Sequence, residues 1–294
     1  MSLAKELIEL FKKHLKHNRG EGVSIIIPFR KPSCDDRRSQ NLEWLLQYWE
    51  SHLPAAEIII GKDEEGKPFS KSVAVNDGFS QSTGDVIVIV DADGYIDADS
   101  VLHCVNEIRC ERDLGRRLWF VPYRRFCRMT REASDLIINS DPKRPYRFPF
   151  PVGLEHLQKG AEPNVGHWYG AMIQILPREA FEIVGGWDER FRGWGGEDHA
   201  ATRSTDTLYG PHKTLPDQVL HLWHPQIGPS GTDGWVHWKE RVWEGQESNS
   251  NNDRLSWRYY HANGHWRIMR KLVDEWLLGL PAHRRHHHHH RKSC

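Results

Sequence analysis

Two aspartates separated by one alanine follow a run of apolar, β-branched residues. In the segment GDVIVIVDADG this run ends on Asp91 and Asp93. Residues i and i+2 of a strand point the same way, so both carboxylates would lie on one face if the strand continues through them. Two hard oxygen donors at a strand end suit Mg²⁺ or Mn²⁺, which bind a few carboxylates together with substrate phosphates. The pair also fits a polar turn, because Asp-Gly is a common turn sequence.

A second group of acids lies in the segment RGWGGEDHAA, where Glu197 and Asp198 follow three glycines and a tryptophan. Glycine is costly to order, so three of them around Trp194 indicate a backbone that turns tightly or approaches a ligand closely. A carboxylate held in such a loop could serve as a general base. Acids are also favoured at a helix N-terminus by the helix dipole, and the two roles are compatible.

Alternating strands and helices are predicted to position these acids. Short apolar runs at 23–27, 56–61, 84–94 and 118–123 predict buried strands. A helix is predicted between the first two strands, with an apolar face formed by Leu42, Leu45, Leu46 and Trp49. This alternation indicates βαβ units and a mostly parallel sheet, in which ligands bind beyond the carboxyl ends of the strands. Those ends bring polar side chains to one predicted rim: Arg30, Lys62, Asp63, Asp91 and Asp93.

The composition is that of a globular protein with enough apolar material for a core. Of the 294 residues, 38% are hydrophobic and 27% are charged, and 40 basic side chains balance 40 acidic ones. No global field therefore favours nucleic acid or membrane surfaces. No apolar run approaches the ~20 residues of a membrane span, so we expect no stable membrane insertion. Five cysteines without a C-x-x-C pair and a charged N-terminal segment favour a cytoplasmic protein.

The first half of the chain resembles a known family. The segments TGDVIVIVDADG and NDGF (76–79) are similar to the nucleotide-sugar half of glycosyltransferases of the GT-A fold, most of all the β-1,4-galactosyltransferase type. That type carries the strand IIIPFR and a segment F-N-R-x-x-x-x-N-x-G-F, which here reads FSKSVAVNDGF (69–79) with Lys71 in place of the arginine. A lysine is a point charge and lacks the bidentate fork of arginine. The resemblance implies these donor-binding residues: Pro28, Phe29, Arg30, Asp63, Lys71 and Asp91.

The segment from 166 to 199 resembles the acceptor and catalytic part of the same enzymes. It is also similar to polypeptide N-acetylgalactosaminyltransferases and to bacterial polysaccharide polymerases. The resemblance implies that Asp198 deprotonates the acceptor hydroxyl and that Glu197 contacts a sugar. It implies that Trp194 stacks on the acceptor, because an indole offers an apolar face to sugar C–H groups. The aligned glycines and the aromatic-Gly step complete the implied substrate site: Gly195, Gly196, Tyr169 and Gly170.

Two histidines follow in the segment DQVLHLWHPQ. The related enzymes place a metal-binding histidine at about this position, so the resemblance implies that His221 or His224 joins Asp91 and Asp93 as a metal ligand. Imidazole suits Mn²⁺ better than Mg²⁺. The H-x-x-H spacing leaves open which histidine binds, with His221 preferred.

The predicted fold class is α/β of the GT-A type, a Rossmann-like, mostly parallel sheet flanked by helices, with a helical C-terminal extension. We expect an N-terminal amphipathic helix over 1–22 and a catalytic domain over 23–227, divided into a nucleotide-sugar half (23–120) and an acceptor half (121–227). The arginine-rich stretch 121–137 predicts a solvated helix face or an anionic acceptor patch, and 141–153 predicts a loop. The tryptophan-rich region 228–294 predicts helices that pack on the catalytic domain, or a sugar- or base-binding surface.

These features predict a metal-dependent transferase that moves a hexose from a UDP-sugar donor to an acceptor hydroxyl, with Mn²⁺ or Mg²⁺ as cofactor and a lean toward inversion. The acceptor is left open among a glycan, a protein and a hydroxylated nucleic-acid base. Two alternatives remain. A sugar-1-phosphate nucleotidyltransferase has a similar sheet, but PFRKPSCDD lacks its glycine-rich loop. A carbohydrate-binding protein without catalysis would not need Asp91, Asp93 and Asp198. A bacterial or viral source fits the cytoplasmic prediction.

Overall fold

A computed structural model gives the placement of most of the chain. It describes residues 18–31, 36–65, 67, 69–159, 164–165, 170–193, 195–225 and 250–280. The amphipathic helix predicted over 1–22 lies almost entirely outside the described residues. Tyr169, Trp194 and the stretch 226–249 lie outside them as well.

A six-stranded sheet forms the centre of the molecule. Its strands are β1 (Val23–Pro28), β2 (Glu57–Gly61), β3 (Val86–Val90), β5 (Phe120–Val121), β8 (Ile173–Pro177) and β9 (Lys213–Thr214). They lie in the order β2-β1-β3-β8-β5-β9. Every strand except β8 runs in the same direction, as the pairings of β8 with β3 and β5 are antiparallel. The apolar runs of β1 and β3 are buried throughout, as expected for strands covered on both faces.

Helices cover this sheet. They are α1 (Arg37–His52), α2 (Lys71–Gln81), α3 (Ala98–Asp113), α4 (Arg131–Ile138), α5 (Arg178–Val184) and α6 (Glu197–Leu208). The predicted apolar face of α1 is confirmed, with Leu42, Leu45 and Trp49 buried in the main core. The α/β class and the mostly parallel, Rossmann-like sheet predicted for the GT-A type are therefore confirmed.

A smaller sheet lies beside the carboxyl end of β3. It contains β4 (Gly94–Tyr95), β6 (Arg125–Arg128), β7 (Asn164–Val165) and β10 (Gln218–His221), in the order β4-β10-β6-β7. The helix predicted for the arginine-rich stretch 121–137 is only half right. Its first part forms β6, because Phe126 and Cys127 pair with Val219 and Leu220 of β10, and only its second part is helical. The predicted loop at 141–153 has no helix or strand.

Two C-terminal helices, α7 (Ser250–Ala262) and α8 (Trp266–Gly279), form the predicted helical extension. They share a second apolar core with α5 and α6, in which Tyr259 and Trp276 are buried. Two other tryptophans of the extension, Trp257 and Trp266, are exposed. None of the helices described here has the length and apolarity that crossing a bilayer requires.

Candidate active site

The turn after β3 carries Asp91 and Asp93, and it sends their carboxylates to different partners. The strand ends at Val90, and Gly94 N–H donates to the Asp91 carbonyl at 3.0 Å, which closes the turn. The backbone of Asp91 still pairs with the sheet through its N–H and the Met172 carbonyl, at 3.0 Å. A Cβ on Gly94 would lie 2.7 Å from Met172 Cγ, so the chain can pass here only as glycine. The premise of a strand that continues through both aspartates is therefore wrong.

Asp93 forms what we call the Asp–His cluster with His221 and His224. Its Oδ2 lies 3.1 Å from His224 Nε2 and 3.6 Å from His221 Nε2. The ligand atoms of all three residues lie within 4.8 Å of one another. Sheet register brings them together, because His221 of β10 pairs with Gly94 of β4, and Leu222 N–H donates to the Asp93 carbonyl at 2.8 Å. Both histidines left open by the spacing thus reach the same aspartate.

The chemistry of the Asp–His cluster fits a divalent metal ion. The ring nitrogen Nδ1 of His224 lies 2.9 Å from the Pro225 carbonyl, which can only accept a hydrogen bond. In the neutral ring, Nε2 then presents a lone pair to the Asp93 carboxylate, so a proton or a cation must lie between them. Burial alone would raise the pKa of Asp93, but His221 and His224 hold it well below its usual value. The described residues thus contain an Asp/His site of the predicted kind, with Asp91 outside its donor set.

Asp91 belongs to a second group, the acid–lysine cluster, together with Lys71, Glu197 and Asp198. Lys71 Nζ lies 2.5 Å from Asp91 Oδ1, and the two side chains are 12% and 25% exposed. Burial alone would lower the pKa of Lys71, but the charges of Asp91, Asp198 and Glu197 hold it above its usual value. Burial and the charge of Asp93 raise the pKa of Asp91 to about 6, against the opposing effect of Lys71. Three carboxylates therefore share one ammonium group.

The two acids of GGED begin helix α6, as their alternative reading at a helix N-terminus predicts. The preceding Gly195 and Gly196 have φ values of 113° and 89°, a left-handed conformation that side chains rarely adopt. Gly195 N–H donates to Glu197 Oε2 at 3.1 Å, while Asp198 Oδ1 accepts from His199 N–H at 2.7 Å. Burial and the charge of Asp198 raise the pKa of Glu197 to about 7. The loop thus turns sharply to present both acids at the start of a helix.

Arg30 and Asp63 bind each other at the rim, one strand away from these clusters. Arg30 Nε donates to Asp63 Oδ1 at 2.9 Å, and a second bond joins Nη2 to Oδ2. The guanidinium also donates to the carbonyls of Glu64 and Lys67, at 2.6 and 2.7 Å. Both predicted donor-binding residues therefore organise the loop after β2, and their contact with substrate stays a prediction.

The remaining predicted positions lie near these groups or outside the described residues. Pro28 is buried at the end of β1, and Phe29 follows it, partly buried. Gly170 lies against His199, since a Cβ there would be 2.3 Å from His199 Nε2. Sequence reasoning gave His199 no role, and the structure places it over this glycine. Tyr169 and Trp194 are not described.

Sequence reasoning missed two buried side chains that hold the site. The Asn76 amide donates to the Trp187 carbonyl at 2.8 Å and accepts from the Trp187 N–H at 2.9 Å, so α2 holds the segment that leads to Glu197. Tyr123 OH accepts from Met172 N–H at 3.0 Å, beside the turn of Asp91. Asn76 stands in the quoted NDGF segment, which could have identified it, whereas nothing in its sequence context marks Tyr123.

Two segments of the chain match models of known protein families. Residues 35–148 match the family described as glycosyl transferase family 2, and residues 164–205 match the N-terminal domain of galactosyltransferase. Both families are glycosyltransferases, and the two matches cover the halves in which the motifs lie. The resemblance drawn from those motifs is confirmed. A comparison with curated protein sequences found no match.

Solved structures with an overall likeness are also glycosyltransferases. The catalytic domain of Drosophila β1,4-galactosyltransferase 7, in complex with xylobiose, is 16% identical, with coverage of 81% of this chain and 79% of that one and a TM-score of 0.37. GalNAc-T7 with UDP, GalNAc and Mn²⁺ is 15% identical, with coverage of 85% and 54% and a TM-score of 0.43. A mannosyltransferase from Pyrobaculum calidifontis, with GDP-Man and Mn²⁺, is 13% identical, with coverage of 93% and 81% and a TM-score of 0.37.

Proposed function

We propose that this chain is a metal-dependent glycosyltransferase that moves a hexose from a UDP-sugar to an acceptor hydroxyl. The observation that carries the proposal is the meeting of two charge clusters built from separate motifs. The Asp–His cluster and the acid–lysine cluster adjoin through one turn, since Asp91 and Asp93 are two residues apart. One offers metal ligands and the other offers carboxylates and a cation, which are the groups that transfer from a sugar diphosphate needs.

The donor side of the proposed site is the Asp–His cluster with Lys71. Asp93, His221 and His224 would hold Mn²⁺, which mixed carboxylate and imidazole ligands favour over Mg²⁺. When bound, the ion would offset the negative charge on the departing diphosphate. Lys71, paired with Asp91 at 2.5 Å, adds a buried cation that can turn to a phosphate oxygen. Arg30 and Asp63 shape the rim on which the nucleotide lies.

The acceptor side is the start of α6. We assign the base to Asp198, which takes the proton of the acceptor hydroxyl as its oxygen bonds to the anomeric carbon. The bond from that carbon to the diphosphate oxygen breaks at the same time, and UDP leaves. Attack from the face opposite UDP inverts the anomeric centre. Glu197 lies beside the base, and Trp194 would cover the apolar face of the acceptor.

UDP release from a panel of UDP-hexoses in the presence of Mn²⁺ tests the proposal, first with water and then with sugar acceptors. Asp198→Asn should lower transfer by about 10²–10⁴-fold, because it removes the general base. A matched control is Asp113→Asn, the same change at an exposed aspartate at the end of α3, which should leave transfer intact. Absence of turnover with every UDP-hexose would contradict the proposal, and NMR of the anomeric proton would decide between inversion and retention.

Several finer points stay predictions. They are the identity of the hexose, the acceptor class, the cytoplasmic location and the bacterial or viral source. We also propose the catalytic boundaries 23–227 and the division at residue 120. The C-terminal extension is considered next.

A further inference from the structure

We infer that Asn252, in the first turn of α7, is a positioning residue for the loop that presents Glu197 and Asp198. The C-terminal extension would then be part of the transfer machinery as well as a covering layer. This inference rests on the proposed function, because it concerns the loop to which we assign the catalytic base. Its contacts lie outside every motif on which the resemblance depends.

Asn252 holds the backbone of Arg192 from both sides. Its Nδ2 donates to the Arg192 carbonyl at 2.8 Å, and its Oδ1 accepts from the Arg192 N–H at 3.3 Å. The amide side chain thus takes the place of a neighbouring strand. Asn252 is 5% exposed, so its removal leaves two backbone groups without partners in a largely water-free setting.

The residues on either side of Arg192 are held by the donor half of the molecule. Ser70 Oγ donates to the Phe191 carbonyl at 2.9 Å, and Gly193 N–H donates to the Phe69 carbonyl at 2.9 Å. Ser70 is also the N-cap of α2, the helix that begins with Lys71. Asn252 therefore completes a junction at which the donor loop and the catalytic loop share one backbone position.

The same face of α7 meets the other end of the loop. Ser256, one turn beyond Asn252, lies so close to Gly196 that a Cβ there would be 3.0 Å from Ser256 Cβ. Gly196 comes directly before Glu197. Helix α7 thus contacts the described residues on both sides of Trp194, and its first two turns fix where α6 begins.

Other contacts hold α7 in place without Asn252. Tyr259 OH donates to Asp188 Oδ2 at 2.8 Å, and Arg190 bridges Asp188 and Glu275, each at 2.7 Å. The apolar core shared with α5, α6 and α8 adds to this attachment. Loss of Asn252 should therefore loosen the loop without detaching the helix, which makes a selective test feasible.

Asn252→Ala in the full chain is the test, with Tyr259→Phe as matched control. The control also removes a buried hydrogen bond from α7, but its bond is to Asp188 and not to the loop. Asn252→Ala should lower kcat for transfer at least tenfold and leave the KM for UDP-sugar little changed. Tyr259→Phe should keep kcat within twofold at a similar loss of thermal stability. Unchanged kcat in Asn252→Ala, or equal losses in both variants, would overturn the inference.

Hydrogen–deuterium exchange gives a readout that does not depend on catalysis. The peptide over 191–199 should exchange at least tenfold faster in Asn252→Ala, while the peptides of α8 keep the parent rate. Unchanged exchange over 191–199 would overturn the positioning role, whatever the chain catalyses. Faster exchange in a parent chain that transfers no sugar would support the tether and contradict the proposed function.

Discussion

Asp91 and Asp93 lie on one turn, yet their carboxylates have opposite electrostatic surroundings. The charge of Asp93 and burial raise the pKa of Asp91 to about 6, although Lys71 lies 2.5 Å away. The pKa of Asp93 is held well below its usual value by His221 and His224, despite burial. One cluster has more negative groups than cations, and the other pairs a single carboxylate with two imidazoles.

The difference shows that a D-x-D pair need not act as one chelating unit. Because the strand stops before Asp91, the turn separates the two carboxylates and gives each its own partner element. Asp93 meets β10, and Asp91 meets the start of α2 and the loop before α6. The turn thus joins a site suited to a metal ion to a site suited to proton transfer and phosphate pairing. Three changes would break or sharpen this division.

The largest expected effect is on metal binding in Asp93→Asn. Loss of the central carboxylate should weaken Mn²⁺ affinity by more than about 100-fold, beyond the 10–100-fold that outer-shell partners of a metal cost. Titration calorimetry or Mn²⁺ EPR on the purified chain measures it, and transfer should fall with it.

Asp91→Asn is the matched control, since it makes the same change two residues away. It should change Mn²⁺ affinity little, because Asp91 lies outside the donor set of the Asp–His cluster. Equal losses in both variants would contradict the division and support the sequence-based prediction that both aspartates bind the metal.

The next effect is on stability, in Lys71→Met. This change leaves Asp91, Glu197 and Asp198 without their shared cation and should cost about 3 kcal/mol of unfolding free energy, as when one partner of a buried ion pair is removed. Chemical denaturation without divalent ions at pH 8 measures it. Lys71→Arg keeps the charge and supplies the residue that the related segment carries, so it should retain most of the stability. Equal stability of the parent and Lys71→Met would mean that the cluster is solvated.

Sequence patterns predicted most of the fold, because local signals govern it. The apolar runs of β1 and β3 and the apolar face of α1 have strong periodicity and lie where expected. The acids of GGED were predicted at a helix N-terminus, and α6 begins at Glu197. These features depend on short stretches of chain, so neighbouring residues suffice to predict them.

The division between the two aspartates could not be predicted in this way. It depends on the pairing of Gly94 with His221, across more than half of the described chain, in a strand of two residues that has no periodic signal. Asn252 is a single polar residue in a helix, and only its distant partner gives it a role. Long-range register and single buried amides thus account for most of what sequence reasoning missed at the site.

The smallest expected effect concerns Glu197 and the pH dependence of folding. Its pKa is about 7 in the folded chain against an ordinary value of 4.5, so the folded chain holds a proton that the unfolded chain has lost between those values. Stability from this group is present below pH 4.5 and is lost as the pH rises through 7. Glu197→Gln, which can still accept from Gly195 N–H, should therefore be more stable than the parent by about 1–3 kcal/mol at pH 8.

The gain in Glu197→Gln should vanish at pH 4, where the parent residue carries its proton in the folded chain. Denaturation at both pH values without divalent ions measures it. Glu182→Gln, at an exposed glutamate on α5, is the control and should change stability little at either pH. A gain of equal size at pH 4 and pH 8 would mean that the side chain, and not its charge, causes it. Crowding of carboxylates around Lys71 would then be too weak to distinguish the acid–lysine cluster from the Asp–His cluster.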